Sequence, residues 1–162
     1  MTLNVWSGVE HVVASVPPPG RLELFALKRA GDAAPLLLVE AYDAGGLVAG
    51  GEVAVWELNQ AIAALLSEST QARRLALRDD GRGHGGHLDV LAAGNDVELV
   101  ATSQDGARRA SFATTTEAFV GDLNALVRHY LALTRATSGT RTIVLPEQGQ
   151  RSARQALMRP VP

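Results

Sequence analysis

Leu47-Val48-Ala49-Gly50-Gly51-Glu52-Val53-Ala54-Val55-Trp56-Glu57-Leu58-Asn59-Gln60-Ala61-Ile62-Ala63-Ala64-Leu65-Leu66 changes its hydrophobic period half-way. The first part, Leu47–Trp56, is β-branched and aliphatic and reads as a strand, with a bulge or bend expected at Gly50-Gly51. From Leu58 the apolar residues recur as Leu58, Ala61, Ile62, Leu65 and Leu66, the i, i+3, i+4, i+7, i+8 spacing of one helix face. A helix is therefore expected over Glu57–Ser67, closed by the polar run Ser67-Glu68-Ser69-Thr70.

Working outward, the pattern on both sides is that of strands. Upstream, Val9–Val16 and Arg21–Arg29 flank the turn Pro17-Pro18-Pro19-Gly20, and Pro35–Tyr42 carries the buried-strand run Leu36-Leu37-Leu38-Val39. In Arg21–Arg29, Leu22, Leu24 and Ala26 share one face and Glu23, Phe25 and Leu27 the other. Downstream come Ala72–Arg78, His87–Ala92, Asn95–Thr102 and Ala107–Ala113, the last two joined by Asp105-Gly106, a strong hairpin signal. A second helix opens at Thr114, where Glu117 three residues on suggests a capping box. Phe119, Leu123, Leu126, Val127, Tyr130 and Leu131 line its apolar face, and Gly139 suits its stop.

The element order is ββββα-ββββα. Runs of strands each followed by one helix predict an α+β fold with largely antiparallel sheet. The helices share a short echo, Glu57-Leu58-Asn59 against Asp122-Leu123-Asn124, a possible pseudo-repeat that does not extend into the strands at the same offset. The order resembles that of Whirly-type and PUR-type single-strand binders, which pair ββββα units. The resemblance is one of element order alone, and it implies single-stranded nucleic-acid binding through a sheet face.

Length and composition suit one α+β domain at 1–139 followed by a tail at 140–162. That tail holds Arg141, Arg151, Arg154 and Arg159 against Glu147, so it is basic, and apart from Ile143-Val144-Leu145 it lacks apolar periodicity, the mark of a flexible segment. Ile143–Leu145 is the one piece of it suited to add a short strand to a sheet edge. With no cysteine, disulfides, thiolate nucleophiles and Cys-based metal centres are excluded. The opening residues lack the basic and apolar regions of a secretory leader, so a cytoplasmic location is expected. Lys28 is the sole lysine, an arginine bias that fits a GC-rich bacterial genome, and the net charge of −2 gives no broad electrostatic footprint for nucleic acid.

Chemistry-bearing residues concentrate in Asp79-Asp80-Gly81-Arg82-Gly83-His84-Gly85-Gly86-His87-Leu88-Asp89. Asp80, Arg82, His84 and His87 are the binding candidates of this loop. The histidines stand three apart on a hairpin connection, not on a rigid helix, so neither a metal site nor a cofactor is expected. The glycines run into a strand, which leaves no helix N-terminus for a phosphate. No serine lies in a Gly-x-Ser-x-Gly elbow. Arg73 and Arg108 are the candidates for a basic sheet face, although no spare aromatic accompanies them. The expected function is non-catalytic: an accessory module acting through protein–protein contacts, self-association as a homodimer included, with Leu36–Trp56 the stretch where edge protection is thinnest. Single-stranded nucleic-acid binding is the first alternative, and an enzyme built on the Asp79–Asp89 loop the second.

Overall fold

A computed structural model of the chain describes residues 5–31, 34–67, 71–79, 84–135 and 143–144. Strands β1 (Val5–Val13), β2 (Arg21–Arg29), β3 (Leu36–Asp43) and β4 (Gly46–Val53) lead into helix α1 (Val55–Leu66). Strands β5 (Gln71–Leu77), β6 (Gly86–Ala93), β7 (Asp96–Thr102) and β8 (Arg109–Thr115) lead into helix α2 (Thr116–Arg135). A last short strand, β9 (Ile143–Val144), follows. The order ββββα-ββββα expected from the sequence is the observed one, and the fold is α+β.

Both sheets are antiparallel meanders. The first runs β4-β3-β2-β1-β9 and the second β5-β6-β7-β8. β9 pairs Val144 with Val5 and Ile143 with Trp6, so the first sheet draws on residues beyond position 139.

The two inner faces and the two helices enclose one core. Leu22, Leu24, Ala26, Leu37 and Val39 come from the first sheet, and Leu75, Leu88, Val90, Leu99 and Phe112 from the second. Leu58, Ala61, Ile62 and Leu65 of α1 and Phe119, Leu123, Leu126 and Leu133 of α2 complete it. The helices are exchanged between the halves: α2 packs on β1 and β2, and α1 packs on β5.

Where the sheets meet, Gly51 is the permissive residue. Backbone bonds run both ways between Glu52 and Arg78 (2.8 and 2.9 Å), and Gly50 N–H donates to Gly85 O (3.1 Å). A Cβ on Gly51 would stand 2.3 Å from Arg78 O, so only glycine admits the second backbone there. The expected bulge at Gly50-Gly51 is absent; the register shift of this pair falls beside Ala41 and Tyr42. The β4 edge, in the stretch expected to be least protected, is thus closed by the other half of the chain.

Two boundaries differ from expectation for local reasons. α1 starts two residues early, because the Glu57 carboxylate turns back to accept from Ala54 N–H (3.2 Å). α2 is capped by Thr115 and not Thr114: Ala118 N–H donates to Thr115 Oγ1 (3.2 Å), and Thr116 N–H donates to Asn95 O (2.9 Å) in the β6–β7 turn. Two leucines leave the expected apolar faces. Leu131 is exposed while Leu133 is buried, since at about 100° per residue 133 returns close to the azimuth of Phe119 and 131 does not. By the same geometry Leu66 falls off the buried face of α1 and is 62% exposed.

Candidate functional site

The described residues among those singled out in the sequence are not brought together. Asp80 and Arg82 lie outside the described residues. His84 borders a cleft of about 360 Å³ between the two halves, together with Leu47, Ala49, Gln104 and Asp105. His87 stands instead on the outer face of the second sheet, with Nε2 3.7 Å from Asp89 Oδ2. Asp89 is committed to Arg74, which donates Nε at 2.8 Å and Nη2 at 3.2 Å in a forked pair. That hydrogen bonding, with the Arg74 charge behind it, holds the Asp89 carboxyl below its ordinary range. Among the described residues, no three His, Asp or Glu side chains converge as metal ligands.

Arg108, a candidate for a basic face, works as a clamp between the halves. From the β7–β8 turn it donates Nη1 to Leu47 O (2.6 Å) and Nη2 to Asp43 Oδ1 (2.7 Å). The same carboxylate oxygen accepts from Gly45 N–H (2.7 Å), and these donors, Gly45 foremost, lower the Asp43 pKa. Arg73 is turned toward α1, where Nη1 donates to Gln60 Oε1 (2.9 Å).

A denser polar cluster, absent from the sequence reading, sits on the face of the first sheet turned away from the core. Glu23 of β2 lies directly opposite Glu40 of β3, and both are buried. His11 Nε2 is 3.1 Å from Glu23 Oε1, and Arg21 forms an ion pair with Glu23 Oε2. Tyr42 donates its hydroxyl to Glu40 Oε1 (2.7 Å), with the Arg21 guanidinium 4.0 Å above its ring. The His11 ring stacks on Phe25 at 4.5 Å. Burial, then the Glu40 charge, push the Tyr42 phenol far above its ordinary range, so it serves as a fixed donor and not as a base. Histidine and arginine satisfy the first carboxylate and tyrosine bonds the second, an arrangement that fixes the β1-β2-β3 register. Its sequence signal is hairpin arithmetic: an antiparallel register that pairs Arg21 with Tyr42 must pair Glu23 with Glu40.

The third feature is α1. Trp56 and Leu66 are 59% and 62% exposed, and Asn59 and Ala63 lie between them on the same stripe. From Leu58 to Leu66 the helix carries no charge. The second half borders it with cations: Arg73 is bonded to Gln60, and Arg78 lies 3.6 Å from Glu57. Exposed positions of α2, by contrast, include Glu117, Arg128 and Arg135.

No family model, no curated protein and no solved structure matches this chain. No described helix is long and apolar enough to cross a membrane.

Proposed function

We propose that this chain is a non-catalytic protein-binding module whose partner seats on α1. The observation that carries the reading is the uncharged stripe with Trp56 and Leu66 exposed at its ends. Tryptophan concentrates binding energy at interfaces, because its large rigid ring removes much surface from water with little entropy to lose. Ten residues of helix set the ring and the leucine about 15 Å apart, an i/i+10 spacing for two sockets of an apolar groove. Arg73 and Arg78 beside the stripe favour a partner whose groove has an acidic rim.

The single-strand alternative has weaker support. On the outer face of the second sheet Arg74 is already bound to Asp89, and Asp96 and Glu98 share that face. Among the residues whose burial is described, the exposed large aromatic ring is Trp56, on a helix and not on the sheet. Stacking platforms need rings on the strand surface and a basic groove.

The test is site-directed photo-cross-linking in the native host, with the reactive residue at position 56 or at the exposed α2 position 128. A nuclease-resistant protein adduct is expected at 56 and not at 128. With the captured partner purified, Trp56→Ala should weaken binding about tenfold or more. Equal labelling at both positions, or binding that falls steeply with salt and vanishes with nuclease, defeats the reading.

A further inference from the structure

The geometry points to a second interaction surface, independent of α1: the outer edge of β8, which pairs with β8 of another copy of this chain across a two-fold axis. Among the described residues β8 bonds only to β7. The alternation of an antiparallel ladder fixes which of its backbone groups are spent. Ser103 N–H donates to Arg108 O and Thr116 N–H donates to Asn95 O, which makes the even-numbered residues from 108 to 116 the ones bonded to β7. The N–H and C=O groups of Arg109, Ser111 and Ala113 and the N–H of Thr115 therefore point outward, the Thr115 carbonyl being turned into the first bond of α2, and all four residues are exposed.

The other edges are closed or unsuited. β4 is bridged to Arg78 and Gly85. β5 carries Arg73 and Arg74 mid-strand and packs against α1. β9 has two residues. The one charge of β8, Arg109, stands at its first residue: from Ala110 to Thr115 it contains no charge and no proline, and its pairing with β7 shows no register shift.

The occupant is a second copy because the edge is complementary to itself. An antiparallel pairing centred on Phe112 sets Arg109 opposite the partner's Thr115 and Ser111 opposite the partner's Ala113. Ser111 and the partner's Ala113 exchange two hydrogen bonds, and Arg109 C=O accepts one more from the partner's Thr115 N–H. The charges agree with this register. Thr115 stands beside Asp96 on the outer face and precedes the exposed Glu117, so each Arg109 reaches the acidic end of the other copy. At the centre of the seam the outer-face side chains are small, Ser111 and Ala113, and they line an open trough of about 820 Å³ in that face. The result is one continuous eight-stranded sheet, the commonest symmetry for closing such an edge.

Light scattering on the full-length chain over a hundredfold dilution tests this. The wild type should give twice the 17.0 kDa chain mass at the high end. Ser111→Lys with Ala113→Lys sets like charges face to face across the seam and should give 17.0 kDa throughout. Ser111→Glu with Ala113→Lys sets opposite charges face to face and should restore the dimer, and Trp56→Ala should leave it unchanged. Cross-linking reads the register without relying on those folds. The chain has no cysteine, so a mixture of Ser111→Cys and Ala113→Cys chains should oxidise to a linked pair several-fold faster than either alone. A monomeric wild type at every concentration, a dimeric double-lysine variant, a monomeric glutamate/lysine variant, or no preference for the mixed disulfide overturns the proposal.

Discussion

Two glycines of this chain have opposite tolerances for a methyl group, and the difference is purely local. Gly51 lies where Arg78 O would meet a Cβ at 2.3 Å, and the neighbour is backbone that cannot turn aside. Gly51→Ala should cost about 1–3 kcal/mol in a denaturant melt, the usual penalty of overpacking. Gly121, on the exposed side of α2, has nothing within 4 Å of its Cβ position. Gly121→Ala should stabilise by about 0.5–1 kcal/mol through helix propensity alone. Equal effects at the two sites would mean that the sheets do not meet at Gly51. Leu123, 1% exposed under α2, is the third residue-scale test: truncation to alanine should cost about 2–5 kcal/mol. That burial was legible in the sequence, because helical spacing alone places Leu123 in phase with Phe119 and Leu126. The tight fit at Gly51 was not. It depends on the backbone of Arg78, just past the end of β5, and a Gly-Gly pair reads equally well as a bulge.

At the scale of elements, the order of strands and helices was legible because each is announced locally. The period switches from 2 to 3.6 at Leu58, and Asp105-Gly106 closes a hairpin in which Gly106 takes φ of 76°. Caps were legible only to within a residue, since Thr114, Thr115 and Thr116 offer the same hydroxyl and the β7–β8 register selects among them. The pairing of β5 with β6 was visible as strands, whereas its ion pair was not. Arg74 holds the Asp89 carboxyl below its ordinary value of 3.8, so the unfolded chain takes up that proton first. The stabilisation is complete above the unfolded value and is lost as pH falls through the folded one. Arg74→Gln should move the Asp89 midpoint, followed by carboxyl NMR, up toward 3.8 and flatten the acid limb of stability. An unmoved midpoint would show that the forked pair does not persist in solution.

At the scale of the whole molecule, what the sequence could not show is how the two ββββα halves combine. The clamp from Arg108 to Asp43 and Leu47 and the bridges at Arg78 and Gly85 join residues that no local period relates. The candidate site suffered most from this. Sequence reasoning gathers residues that are close along the chain, and so it favoured the histidine loop over an exposed ring on α1, whose significance depends on what the rest of the fold leaves uncovered.

The exchange of helices between the halves has a consequence for how the chain is made. The first sheet emerges from the ribosome with its inner face bare, because α2, which covers β1 and β2, is encoded by residues 116–135. At roughly 5–20 residues per second that face waits several seconds for its cover. The nascent first half therefore exposes apolar surface throughout that interval. A fragment of residues 1–70 should show no cooperative thermal transition by circular dichroism, and adding residues 71–162 should restore one. A cooperative melt of the first fragment alone would show that the exchange is dispensable, and that this protein can begin to fold before α2 has been translated.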